Sequence, residues 1–207
     1  MTELKHYLGN LPLLAILRGI TTDECTSIAD ALLDTQFSCM EIPLNSPNAL
    51  QSIAKLAQHL PAHCLLGAGT VMTRAQVQAV HDAGGRLIVM PHANLELIRC
   101  AKALGMLCIP GVATLTEAFA ALDAGADALK LFPSESVPPS VLQAWRSVLP
   151  QEIICMPVGG VKPEDMADYR QAGAYGFGLG SHLYRAGDSA AQVASRAQVY
   201  VSAWRAL

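Results

Sequence analysis

The sequence predicts an α/β chain folded as a single (β/α)8, or TIM, barrel. Short apolar runs alternate with helical patterns from one end to the other, eight such runs can be counted, and their starts stand roughly 20 to 26 residues apart. That spacing is near the minimum for a strand, a loop, a helix and a return loop. The runs are 13–18, 39–44, 65–70, 87–91, 107–110, 128–132, 153–157 and 175–179. Helix-opening residues fall between them: Thr22-Asp23-Glu24, Thr73, Asn94 and Lys162-Pro163-Glu164-Asp165. Gly84-Gly85, Gly105, Gly125 and Gly173 follow helical stretches, where a left-handed C-terminal position favours glycine. An open doubly wound sheet is the alternative, but it wants a GxGxxG turn after the first strand, and Leu17-Arg18-Gly19-Ile20-Thr21 does not supply one.

Composition sets the bounds. The 207 residues suit one domain spanning 1–207, with enough chain to bury a core without disulfides or structural metal. Charged residues make up only 15% against 52% hydrophobic, where an average soluble domain carries roughly 25% charged. Much surface must be hidden, partly on both faces of parallel strands and partly in a subunit interface, so a homo-oligomer is expected. The net charge of −3, without a Lys/Arg cluster, disfavours nucleic-acid binding. The first residues lack a basic-then-apolar signal and no apolar run approaches the roughly 20 residues of a membrane span, so the protein reads as cytoplasmic. Six cysteines without CxxC spacing read as buried free thiols, and the six histidines form no HxH or HExxH pattern; no catalytic metal is expected.

The active end of such a barrel is where the strands' C-termini meet, so polar residues there carry the chemistry. Lys130, in Ala128-Leu129-Lys130-Leu131-Phe132-Pro133, points away from Leu129 and Leu131 by strand alternation. A buried ammonium is costly unless paired or deprotonated, and a neutral amine attacks ketones; the bland reading is a lysine snorkelling to solvent. Glu41, in Met40-Glu41-Ile42-Pro43-Leu44, is a second expensive charge in an apolar strand. A buried carboxylate has a raised pKa and can take and return a proton near neutrality, unless it is one half of a structural salt bridge across the barrel. Gly159-Gly160 and Gly180-Ser181 lie after the last two strands, where barrels bind phosphate through backbone N–H groups; tight turns would also explain these glycines. Arg18 can grip a carboxylate and Thr70 can donate to the same group, against a surface ion pair for the first and a helix cap for the second. His92 and Glu117 read as structural residues.

Taken together, Glu41-Ile42-Pro43-Leu44-Asn45-Ser46-Pro47, Gly67-Ala68-Gly69-Thr70-Val71, Leu129-Lys130-Leu131-Phe132-Pro133 and Val158-Gly159-Gly160-Val161 resemble the class I 2-keto-3-deoxy-6-phosphogluconate and phosphogalactonate aldolases. The resemblance spans nearly the whole chain. It implies a barrel that is usually a homotrimer, needs no metal or cofactor, and reversibly cleaves a phosphorylated keto sugar acid to pyruvate and glyceraldehyde 3-phosphate. Lys130 would be the Schiff-base lysine, Glu41 the proton shuttle and Arg18 the holder of the pyruvate carboxylate. Gluconate-type relatives commonly carry Arg four residues after the Glu and Thr at the position of Val158; here Asn45 and Val158 point to the galactonate branch. A phosphogluconate or 4-hydroxy-2-oxoglutarate aldolase is the nearest alternative, and a phosphate-binding epimerase without a covalent lysine or a non-catalytic sugar-phosphate sensor are the others. The position of His92, after the Pro of the fourth strand, departs from the Asn or Gly of that pattern.

Overall fold

The structure is a computed structural model and describes residues 3–207. A short helix, α1 (Glu3–Leu8), precedes β1 (Leu13–Ile16), and strands and helices then alternate. They are α2 (Cys25–Asp34), β2 (Cys39–Pro43), α3 (Ala49–His59), β3 (Leu65–Gly69), α4 (Arg74–Asp82), β4 (Leu87–Val89), α5 (Leu95–Ala103) and β5 (Leu107–Ile109). The second half runs β6 (Gly111–Val112), α6 (Leu115–Asp123), β7 (Leu129–Leu131), α7 (Pro139–Trp145), β8 (Cys155–Pro157), α8 (Met166–Gln171), β9 (Phe177–Leu179) and α9 (Ala190–Arg205).

Every strand pair is parallel. The expected eight strands of one barrel sheet are instead nine segments in two sheets, a curled six-stranded one ordered β5-β4-β3-β2-β1-β9 and a three-stranded one ordered β6-β7-β8. Pro110 divides the fifth expected strand because it has no N–H to give the ladder. The chain does not part there: Met90 N donates to Ile109 O at 3.2 Å on one side and Lys130 N donates to Pro110 O at 2.9 Å on the other. The opposite seam carries the isolated parallel bridge Val158–Gly178 and a bond from Tyr175 N to Cys155 O of 2.9 Å.

Alternation along each strand sorts its side chains into two cores. Met40 and Ile42 of β2, Ala68 of β3, Cys108 of β5, and Leu129 and Leu131 of β7 face the helices. The helices meet them with apolar stripes at helical spacing, such as Ala49, Ile53 and Leu56 of α3. The other core holds Leu14, Cys39, Leu65, Leu87, Val89, Leu107, Ile109, Ala128, Ile154 and Met156. This inner core draws on both sheets and is floored by Leu4 and Leu8 of α1. Burial of these ten side chains alone, at about 25 cal/mol per Å², makes this interior a main source of stability.

Local signals are where the sequence places them. Thr73 caps α4 in a capping box with Gln76, and Asn94 Oδ1 accepts from Glu96 N and Leu97 N at the start of α5. Gly125, after α6, has φ 100° and ends that helix in a conformation costly to other residues. All six cysteines are free, five of them buried, and burial pushes the Cys39 and Cys108 thiols up to about 12.

Candidate active site

Glu41 and Lys130 both stand on the inner face of their strands, on β2 and β7, at the end where the strands finish. Cys39 and Ala128, two residues before each, are inner-core residues. Glu41 is 2% exposed and Lys130 6%. Room for the Glu41 carboxylate comes from Gly69 on β3, whose missing side chain leaves the space the carboxylate fills. Gly67, Gly111 and Gly178 occupy inner positions by the same alternation, so fewer side chains fill the upper half of the interior than the lower half, which is packed with leucine and isoleucine.

The electrostatics of the pair are opposed. Burial pushes Glu41 up to about 7, against the pull of Lys130, Arg18 and the Gly69 amide. Burial also lowers the pKa of Lys130; the Glu41 charge resists that shift and Arg18 adds to it. Glu41 Oε2 is buried without a hydrogen-bond partner, so the two are not locked as a satisfied salt bridge through that oxygen. Lys130 Nζ lies 4.4 Å from the centre of the Phe132 ring, which flanks it two residues on. The arrangement is a desolvated amine beside a carboxyl that titrates near neutrality, the pair that imine formation and proton shuttling require.

The remaining expected residues ring this pair. Arg18, exposed after β1, makes no salt bridge to a carboxylate among the described residues; its Nη1 donates to Asn45 Oδ1 at 2.7 Å, and Gly19 N donates to Ser46 Oγ at 2.9 Å. The Ile42-Pro43-Leu44-Asn45-Ser46 segment therefore aims the arginine. Thr70 follows Gly69 at φ 57°, a left-handed conformation that costs a β-branched residue about 1–3 kcal/mol. It does not cap α4; Thr73 does. Val158, buried after β8, lies against Gly178, whose β-carbon would stand 2.6 Å from Val158 Cγ2 and 3.4 Å from Ile16 Cδ1.

Gly159 and Gly160 have φ of 105° and 66°. Ser134 holds their turn, donating its N–H to Val158 O at 2.9 Å and its hydroxyl to Gly159 O. Tyr169 OH in turn donates to Ser134 O at 3.0 Å. Among the described residues the amides of Gly160, Gly180 and Ser181 make no backbone hydrogen bond, leaving donors free at two adjacent strand ends. Sequence reasoning passed over Ser134, Gly69 and Gly111. Counting every second residue from Leu65 would have flagged Gly69; nothing local marks Ser134. Glu117 is structural as expected, capping α6 through Ala113 N and Thr114 N at 2.9 Å each.

A parallel α/β fold with a buried lysine–carboxyl pair at its strand ends fits an enzyme of the imine-forming class. Residues 4–196 match the family model described as KDPG and KHG aldolase. The chain belongs to that family, and it is a carbon–carbon lyase. It is 49% identical over 195 residues to the 2-dehydro-3-deoxy-6-phosphogalactonate aldolase of Escherichia coli (strain K12), covering 94% of this chain and 95% of the relative. It is 36% identical over 158 residues to a 2-dehydro-3-deoxy-phosphogluconate aldolase of Pseudomonas aeruginosa, covering 74% and 71%. A solved structure described as native KDPGal superposes with a TM-score of 0.93 at 48% identity, over 96% of each chain.

Proposed function

We propose that this protein reversibly cleaves 2-dehydro-3-deoxy-6-phosphogalactonate to pyruvate and glyceraldehyde 3-phosphate, with Lys130 as the covalent nucleophile and Glu41 as the proton shuttle. The observation that carries the reading is the pairing of a desolvated Lys130 with a Glu41 carboxyl raised to about 7. The higher identity to the phosphogalactonate than to the phosphogluconate relative favours the galactonate epimer. Phosphogluconate and 4-hydroxy-2-oxoglutarate are the competing substrates.

Neutral Lys130 attacks the C2 ketone, and Glu41 delivers the proton with which the carbinolamine oxygen leaves as water, giving an iminium. The Glu41 carboxylate then takes the C4 hydroxyl proton, the C3–C4 electrons move into the iminium, and glyceraldehyde 3-phosphate departs from an enamine. Protonation at C3 and addition of water to the imine release pyruvate and restore the amine. Arg18 and Thr70 hold the carboxylate; Gly159, Gly160, Gly180 and Ser181 hold the phosphate through their backbone N–H groups and the Ser181 hydroxyl; Val158 faces the cleaved carbons.

In the same reading residues 1–207 form one domain, and the two sheets form one closed (β/α)8 barrel. The bonds across Pro110, the Val158–Gly178 bridge and an inner core shared by both sheets support closure. A cytoplasmic homotrimer is proposed as the working form, supported by the low charge fraction and by exposed apolar side chains such as Met72 and Phe119. Treatment with pyruvate and borohydride tests the chemistry: the pyruvyl adduct is expected on Lys130, and Lys130→Ala is expected to lose both the adduct and cleavage. Absence of the adduct with cleavage retained in the variant would refute the Schiff-base role of Lys130. Turnover of the two epimeric substrates decides the branch.

A further inference from the structure

The burial of Lys130 helps one step of imine chemistry and hinders the next. It drives the amine towards its neutral form, which suits attack on a ketone. When the carbinolamine C–O bond then breaks and its oxygen leaves as water, the nitrogen lone pair forms the C=N bond and Nζ carries a full positive charge in the same desolvated place. Losing that charge as a proton would leave a neutral imine, a poor electron sink. The site must therefore hold a cation where burial disfavours one.

Its charged groups do this only in part. Lys130 is in none of the ion pairs among the described residues. The Glu41 carboxyl, raised to about 7, balances a cation only while it is ionised. The Arg18 charge works against a cation at Nζ.

What Nζ does meet is an aromatic face. It lies over the Phe132 ring, 4.4 Å from the centroid. The ladder gives the ring its direction: Phe132 N donates to Val112 O at 3.2 Å, which carries the pairing one residue past β7, so Phe132 keeps the inner parity of Ala128 and Lys130. The Cδ2–Cε2 edge of the ring borders Gly159, 3.6 Å from where a β-carbon of that residue would stand. The face of an aromatic ring is negative, attracts a cation most strongly where water is excluded, and does not titrate. We propose that Phe132 is a catalytic residue whose ring face holds the positive charge of the Lys130 iminium and so keeps the imine protonated for cleavage. This deepens the aldolase reading above and rests on it.

Fluorine drains the charge of the ring face with little change of shape. Phe132 is replaced site-specifically by mono-, di- and trifluorophenylalanine, and the pyruvate concentration giving half-maximal borohydride trapping on Lys130 is measured for each. The buffer is alkaline enough that the free amine of every variant is neutral, so that only the iminium gains from the ring. The midpoint is expected to rise about twofold with each fluorine, evenly on a logarithmic scale, and about tenfold in Phe132→Leu, which keeps an apolar side chain and loses the face. Turnover in cleavage is expected to fall in the same order. A para-methylphenylalanine, which adds bulk without draining the face, is expected to stay within about twofold of wild type. A midpoint that is flat across the fluorine series, or that rises as far with the methyl group as with three fluorines, overturns the assignment and leaves the ring as packing. Should Phe132→Leu fail to fold, the fluorine series decides alone. A wild-type protein that traps no pyruvate defeats the aldolase reading and this inference with it, a result distinct from a flat series on a protein that traps normally.

Discussion

The Glu41 carboxylate rests against the Cα of Gly69, in the volume a side chain there would take. Gly69 is not in a left-handed conformation, so its constraint is purely one of space. Gly69→Ala is therefore expected to fold, since only one methyl is added at the cavity edge, while swinging Glu41 away from Lys130. We expect kcat to fall tenfold or more, because misplacement by about 1 Å costs on the order of a hundredfold in the extreme. Circular dichroism with initial rates checks this; a folded variant with normal kcat would remove the contact from the mechanism.

Glu41 first gives a proton and then takes one, so a carboxyl raised to about 7 is expected to place a limb of the kcat/KM profile at about that pH. Glu41→Gln can neither give nor take that proton and should lower turnover about a hundredfold or more while losing the limb. Rates measured between pH 5.5 and 8.5 on both proteins (about three units, enough to span one titration) give the comparison, and a limb surviving in the variant would belong to another group.

The same shift has a stability consequence of definite sign. The folded-state value lies above the ordinary 4.5, so folding favours the protonated form; the stability this gives is full below 4.5 and is lost as pH rises through about 7. Glu41→Gln carries no such penalty. Its Tm should exceed that of wild type at alkaline pH, with the gap closing towards pH 4.5; a gap independent of pH would show that the carboxyl is not destabilised by burial.

Val158 lies on the inner face over Gly178 without a polar atom to offer. Val158→Thr keeps the shape and adds a hydroxyl beside the cleaved carbons. A neutral hydrogen bond is worth about 0.5–1.5 kcal/mol, so the ratio of kcat/KM for the gluconate over the galactonate epimer should rise roughly threefold to tenfold. An unchanged ratio assigns Val158 to packing alone.

Ser181 is exposed at a strand end, its carbonyl accepting from Arg185 Nε at 3.0 Å. Ser181→Ala should raise KM for the phosphorylated substrate more than for an analogue lacking the phosphate. Equal changes would detach the hydroxyl from phosphate binding.

Much of this was legible in the residues. Eight apolar runs located every strand but the two-residue β6, because parallel strands buried on both faces read as continuous hydrophobic stretches. Alternation alone turned Lys130 away from Leu129 and Leu131. What escaped depends on neighbours rather than on local pattern. The break at Pro110 shows only when the adjacent strands' hydrogen bonds are followed. Helix α1 has six residues and two buried leucines, too few for a period to stand out. Gly69 and Gly111 carry no mark of their role until the groups that approach them are known, and Ser134 acts on Gly159, 25 residues away.

The leucines of α1 pack into the inner core and fill its far end with apolar side chains, so Lys130 is approached from the C-terminal ends of the strands. A pyruvate unit tethered to Lys130 sits deeper than the aldehyde lying towards the phosphate amides. In synthesis pyruvate must then load before glyceraldehyde 3-phosphate, and in cleavage the aldehyde must clear those strand ends before the imine can be hydrolysed. Kinetics in the synthetic direction should be compulsory-order with pyruvate first, a sequence imposed by the plug of a six-residue helix at the far end of the molecule.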